Sequence, residues 1–506
     1  MNARSYPALS AFAVATGLAA MTLLWPAHGA LLNWDEVDYV NAAGLGPWAN
    51  MAERGSLRLS DFVAFAFAKI SNRPFAFPEG HEEARDPLLL RHYHPPFVVL
   101  LLAPVSWTRS ERAIRSVQLL GGLTLSCVVA MSYLSLSGQP GWSGVLLISL
   151  LILWTIPGLF SSLSFHGWEA VWTTASAALL GRWLNTRATA VGVLLCASLA
   201  MALVTLETGL LLWLASILSL LVWGVSARRG VALCRRHLAT GIFLTVVFAL
   251  VAWPGSLLKG SLVKIPAVYL YRIWLGEEYT GVLGGLPRTF GSLLPLLVLG
   301  PAACLWLFVR DREHRARWGP SVVVGGVYGL AMTRFALNPQ YLLPALAPLI
   351  PLAGLVMDRI SSRWGRALAG VVALVLAGSA WPASVDSAGD RERRNDVRWL
   401  RETLRGREAL VDGGHVVQYY LGRDYSIRPV TVSYHGESLL AREGATYRPL
   451  GRGDVAGKVV VIQKSRDQFF HKTAGTLLSG CSRIERAVIR VYDCHRAGNA
   501  REPLKR

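Results

Sequence analysis

Apolar residues in this chain fall in long unbroken runs, not in the alternation of strands or the single stripe of surface helices. Runs of about 17 to 23 residues recur, each long enough as a helix to cross a hydrocarbon layer of about 30 Å. The pattern predicts spans at 8–27, 112–136, 143–161, 168–185, 188–206, 208–226, 238–256, 287–309, 320–336, 341–357 and 367–383, about eleven in all. A shorter run, "PPFVVLLLAPVSW" at 95–107, opens with two prolines. It is short for a span and suits a juxtamembrane or re-entrant piece.

Beyond residue 384 the long runs stop and short ones take over. "NDVRWLRETLRG" (395–406) has helical periodicity, and "HVVQYYLG" (415–422) reads as a helix ending at Gly422. "EALVDGG" and "KVVVIQK" (458–464) read as strands. This alternation predicts a small soluble α/β domain over 384–506 behind a membrane domain over 1–383.

Composition supports the division. Of 506 residues, 53% are hydrophobic and only 16% charged, where a soluble domain carries about 25% charged residues. The net charge of +19 raises the question of nucleic acid. Its placement argues against one, because the arginines cluster in short loops between spans, as the topology rule for membrane proteins requires. With a cytoplasmic N-terminus, the inner loops hold Arg182, Arg187, Arg228, Arg229, Arg235, Arg236, Arg310, Arg312, Arg315, Arg317, Arg359, Arg363 and Arg366. Arg109, Arg112 and Arg115 dissent, falling outside. Counting 95–107 as a span would turn every later cluster outward, which is the charge argument for leaving it out. The stretch 8–27 is longer than a usual signal-peptide core and is read as the first span. The outer face then receives the loop 28–111, a loop at 257–286 and the tail. Cys127, Cys196, Cys234 and Cys304 lie in or beside apolar runs, whereas Cys481 and Cys494 in the outer tail are placed to form a disulfide.

Polar groups gather at the outer ends of the predicted spans. They are Asp35, Glu36 and Asp38; His92 and His94; His166 and Glu169; Glu207; Glu277 and Glu278; and Arg334 with Gln340 and Tyr341. The adjacent acids Asp35 and Glu36 stand where the first span leaves the bilayer, a costly position unless the charge is solvated, paired or used.

"NWDEVDY" at that exit, followed by "RHYHPPF" in the same loop, resembles the GT-C glycosyltransferases, and most of all their protein O-mannosyltransferase and aminoarabinose-transferase branch. "SERAIRSVQLLGG" (110–122) is similar to the Arg-containing start of their second span, and "MTRFALNPQYLLPALAPLIPL" (332–352) to the pattern of their later spans. The resemblance implies a GT-C-like membrane domain over residues 8–383, a polyprenyl-phosphate sugar as donor, and transfer with inversion on the outer face of the cytoplasmic membrane. Asp35 would be the base, and Glu36 would orient it or help bind the acceptor. The leaving lipid phosphate needs cations, for which His92, His94, Lys259, Lys264, Arg272 and Arg334 are candidates, with Tyr341 beside the last. Glu169 or His166 would fill a second acidic role where relatives carry Leu-Asp. No cofactor is required by the pattern; a divalent metal held by Asp35, Glu169 and His166 is left open. The loop 255–281 mixes Tyr269, Tyr271 and Trp274 with Lys264 and Arg272, as an interfacial amphipathic helix or a flap over a lipid would. Partners are then membrane lipids, the lipid-linked sugar and an acceptor glycan, lipid or protein. Two alternatives remain: a transporter or lipid flippase, which would need broken helices and mid-span charge, and a non-catalytic protein acting through its tail.

Overall fold

A computed structural model describes residues 97–108, 110–138, 141–159, 165–206, 208–224, 282–332, 339–360, 387–412, 414–421, 425–432, 439–443, 446–463, 476–487 and 489–495, with isolated positions at 16–17, 36–43, 240–248, 367 and 371. Contacts divide the chain into two compact units, residues 1–29 with 93–385 and residues 30–92 with 386–506. The sequence reading had grouped the loop 28–111 with the membrane domain, whereas by contacts its residues 30–92 go with the tail.

In the first unit the long apolar runs are helices. They are α1 (Phe97–Ser106), α2 (Glu111–Ser137), α3 (Trp142–Leu159), α4 (Phe165–Thr186), α5 (Thr189–Thr205), α6 (Gly209–Gly224), α7 (Val282–Arg310) and α8 (Arg315–Met332). The run 341–357 is also helical but broken: a 3-10 turn at Pro339–Leu342, α9 (Leu343–Leu346), a second 3-10 turn at Ala347–Leu349, then α10 (Ile350–Arg359). Pro344, Pro348 and Pro351 each withhold a backbone N–H, and the chain tightens around the gaps. α1 is a separate ten-residue helix at 97–106, as expected for the short apolar run; at 1.5 Å per residue it is about 15 Å long. Taken singly, α2 alone among the described residues is long and apolar enough to cross a membrane. The predicted spans 8–27, 238–256 and 367–383 lie largely outside the described residues.

The unit is apolar on its outside as well as its inside. Leu146, Val193, Leu305 and Leu330 are exposed, as are Phe243 and Phe308. So much uncovered hydrocarbon on one unit needs lipid, not water, around it. Among the described residues Trp107 and Trp142 are the most exposed indoles, at 79% and 74%. They stand at opposite ends of the bundle, in the way tryptophans mark the two membrane surfaces.

Side-chain contacts between the helices give their directions. At one end Asp358 of α10 receives the backbone N–H groups of Gly141 (2.8 Å) and Gly144 (2.7 Å), the Ser143 hydroxyl (3.0 Å) and the Tyr133 hydroxyl. A carboxylate from a neighbouring helix thereby caps α3, whose first N–H groups have no partner of their own. The approach demands glycine: a Cβ on Gly144 would sit 2.6 Å from the Gly354 carbonyl. Next along the chain, Arg359 pairs with Asp311 in the α7–α8 turn, where His314 also binds it at 2.7 Å. Burial raises the Asp311 carboxyl, but the Arg359 and His314 hydrogen bonds outweigh it and leave the group more acidic than usual. A Cβ on Gly181 of α4 would overlap the Arg317 carbonyl of α8. The same end therefore carries Arg182, Arg187, Arg310, Arg312, Arg315, Arg317 and Arg359, as the loop arginines predicted. Arg115 departs from that count for a physical reason. It is not a loop charge; it is 7% exposed within α2.

In the second unit α11 (Ser387–Thr403) and α12 (Gly414–Leu421) accompany a sheet of β1 (Ala409–Asp412), β2 (Ile427–Val432), β3 (Leu439–Glu443), β4 (Thr446–Pro449), β5 (Val459–Gln463), β6 (Ser482–Glu485) and β7 (Ile489–Asp493), with α13 (Arg452–Val455) leading into β5. The order is β4-β3-β2-β1-β5-β7-β6. β1 pairs parallel with β2 and β5, and the outer pairs are antiparallel. Ala409 and Val411 face Leu400, Leu404, Val417 and Leu421 of the helices, while Leu410, between them, joins Val460 and Ile462 on the other face. Both faces of β1 are covered, which suits its unbroken apolar run. Cys481 and Cys494 form a disulfide, with Cα atoms 4.4 Å apart.

Candidate active site

The end of the membrane unit away from the arginine cluster gathers the starts of α2, α4 and α6, the ends of α5 and α8, and the turn at Pro339–Leu342. α4 opens with "FHGWEA", and its first five residues are all buried although two are ionisable. His166 and Glu169 are one turn apart, so they lie on one face of α4. Glu169 is fully buried, and its Oε1 lies 2.5 Å from the Tyr328 hydroxyl of α8. The same hydroxyl is 2.8 Å from the Thr208 carbonyl at the start of α6. One phenol thus ties three helices together. The His166 ring meets Tyr341 edge-on, with centroids 4.3 Å apart.

Aromatic rings continue the cluster. Phe97 of α1 packs edge-on against Trp168 at 5.3 Å and Trp172 at 5.7 Å, both on α4. The Trp172 indole N–H donates to the Thr205 hydroxyl at the end of α5 (2.9 Å). α1 is in this way held against the starts and ends of spans, not among their middles. On α2, Arg115 and Gln118 are buried, and the Gln118 amide meets no hydrogen-bond partner among the described residues.

Of the candidate residues, Glu169, His166 and Tyr341 stand near one another at this end of the bundle. Glu36 is helical and fully buried, and belongs to the other compact unit. Asp35, His92, His94, Lys259, Lys264, Arg272, Arg334 and Glu207 lie outside the described residues. Sequence reasoning missed Tyr328, whose position inside an apolar run gave no sign of the acid it meets. It counted Arg115 as an outer charge and passed over Gln118, although an arginine and a glutamine one turn apart inside a span were a legible signal. Among the described residues no three His, Cys, Asp or Glu side chains stand together as metal ligands. Of the three residues proposed as metal ligands, Glu169 is engaged by Tyr328 and Asp35 lies outside the described residues.

The chain aligns with solved structures. ArnT from Cupriavidus metallidurans bound to undecaprenyl phosphate aligns over 96% of this chain and 99% of its own, with a TM-score of 0.56 at 14% identity. This chain has the GT-C fold. The same ArnT in the apo state gives 0.55 at 16% identity, over 96% and 98% of the two chains. An oligosaccharyltransferase from Archaeoglobus fulgidus, in complex with zinc and sulfate, aligns more loosely, with a TM-score of 0.47 at 13% identity over 91% and 72%. No family profile and no curated protein sequence matches. The chain thus shares architecture, with little sequence, with the ArnT structures.

Proposed function

We propose that this protein is a membrane glycosyltransferase that moves a sugar from a polyprenyl-phosphate donor to an acceptor hydroxyl with inversion. The observation that carries the reading is the end-to-end structural likeness to ArnT, a protein solved with undecaprenyl phosphate, in a chain whose acidic pair and "HPPF" element resemble that branch. The polar end of the bundle would face the periplasmic or extracellular side. The arginine-rich opposite end supports that orientation.

In this reading Asp35 takes the proton of the acceptor hydroxyl as its oxygen bonds to the anomeric carbon. The bond from that carbon to the phosphate oxygen breaks on the opposite face, so the configuration inverts. The electron pair leaves with the polyprenyl phosphate. His92, His94, Lys264, Arg272 and Arg334 meet its charge, with arginine offering a two-pronged contact to phosphate. Glu36 orients the base or the acceptor. His166 and Tyr341 give a sugar an aromatic wall, and the Gln118 amide is available to a sugar hydroxyl. Glu169 with Tyr328 holds the helix ends that carry these groups.

Removing a general base costs about 10²- to 10⁴-fold in rate. Asp35→Asn is therefore expected to lower turnover of a lipid-linked sugar by at least 10²-fold while the thermal midpoint of the purified chain stays unchanged. A strain lacking the protein should accumulate the donor and lose one surface glycan, both visible by mass spectrometry. An Asn variant with full transfer activity, or lipid flipping by the purified protein with no transfer, would overturn the reading.

A further inference from the structure

Away from the polar cluster, a groove of about 790 Å³ runs along α5 beside α6 and the helical residues between 240 and 248. Leu195, Leu199, Trp213, Leu244 and Phe248 line it. Two of its hydroxyls are engaged by backbone: Ser216 donates to the Leu212 carbonyl one turn back on α6 at 2.8 Å, and Thr245 to the Cys196 carbonyl of α5 at 3.4 Å. Most of the remaining lining is hydrocarbon. Small residues hold the space open, among them Gly192, Ala197 and Ala200. Val193, Ala197 and Leu244 are exposed on the outer surface of the bundle, so the groove opens sideways toward lipid.

Charge stands at one end of it. Arg187 follows α4 with φ 55°, the one positive-φ residue other than glycine among those described. Its N–H closes α4 on the Trp183 carbonyl at 2.8 Å, a left-handed cap that glycine usually provides. A side chain there is strained by about 1 to 3 kcal/mol, a cost that tends to persist where the residue is used. The Arg187 guanidinium stacks over the Trp183 ring at 4.9 Å, and Trp183 itself lines the groove. A cation and an aliphatic trough thus meet at one indole.

We propose that the groove is a binding site for an anionic bilayer phospholipid, with one acyl chain along α5 and the phosphate at Arg187. Eighteen residues of α4 separate Arg187 from Glu169, about 27 Å along the helix. The headgroup therefore lies at the opposite end of the bundle from the polar cluster, and the lipid is not the sugar donor. The inference depends on the membrane setting of the unit, not on sugar transfer.

The test uses the purified full-length chain with phosphatidylglycerol or phosphatidylcholine carrying a photoactivatable acyl chain. Cross-links are expected in peptides of α5 and of residues 240–248, with phosphatidylglycerol favoured. Arg187→Gly relaxes the backbone and keeps the cap. It should cut that preference about five-fold, the attraction of one basic residue for an anionic lipid, without lowering the thermal midpoint. Ala197→Trp fills the trough from its exposed side and should suppress labelling by both lipids. Equal labelling at Leu305 and Phe308, no preference between the headgroups, a preference that survives Arg187→Gly, or displacement by equimolar undecaprenyl phosphate would each overturn the proposal. The last outcome would assign the groove to a polyprenyl chain, leaving the reading of the active site intact.

Discussion

Tyr328 shows how much one buried hydroxyl organises. Its single proton stands between the Glu169 carboxyl and the Thr208 carbonyl, both inside the bundle. Tyr328→Phe removes the one donor that Glu169 and Thr208 share and should cost roughly 1–3 kcal/mol. Glu169→Gln keeps an oxygen for the phenol and should cost less. Thermal unfolding of the two purified variants measures the difference, and equal midpoints would deny Tyr328 this role. Asp358 works the same way at the other end. Asp358→Asn replaces a carboxylate that accepts four donors by an amide with one accepting oxygen, and should be destabilising by about 2 kcal/mol. At this scale the sequence was partly legible. Glu169 and His166 drew notice because charge near apolar runs is costly, but their partners Tyr328 and Tyr341 lie 159 and 175 residues further on, and no local pattern connects them.

Among the elements, α3 and α10 meet through glycines. A Cβ on Gly144 would press on the Gly354 carbonyl and on Asp358, and the obstacle is backbone that cannot swing aside. Gly144→Leu is expected to separate α3 from α10 and undo the Asp358 cap, lowering the thermal midpoint more than Asp358→Asn alone. A midpoint no lower than that of Asp358→Asn would sink the idea. Gly329, where an added Cβ meets nothing within 4 Å, is the control position. Element lengths were readable from hydropathy, since eight of the predicted spans have described helices on them. The interruption of the run at 341–357 was readable only in outline: its three prolines signal tightening, while which turns become 3-10 depends on the helices packed around them.

At the scale of the whole molecule, the two units differ in what stabilises them. The C-terminal unit is small and carries the Cys481–Cys494 bond across thirteen residues of separation. Replacing both cysteines by serine should cost about 3 kcal/mol, seen as faster hydrogen exchange in β6 and β7 of the full chain. The unit also has a defined acid limit. Burial raises the Asp493 carboxyl, but hydrogen bonds from Arg407 (2.8 Å) and the His495 N–H (3.1 Å) more than reverse this and hold it below the usual carboxylate range. A folded value below the unfolded one means the contribution is complete above about pH 4. It fades as pH falls through the folded value. Exchange in β7 should therefore rise on acidification below about pH 4, and Asp493→Asn should show that rise already at pH 7 with a flatter profile below.

Hydrophobic run length, a local property, was enough to determine the helical membrane unit, the α/β tail and the end of the bundle that carries the arginines, because lipid thickness and charge placement act on short segments independently of the rest. Tertiary structure alone decided that Arg115 is buried, that Glu169 meets Tyr328, and that Arg187 stands over an indole beside an apolar groove. Those outcomes depend on which helices become neighbours, and side chains far apart in sequence settle that by packing, which no single run of residues encodes.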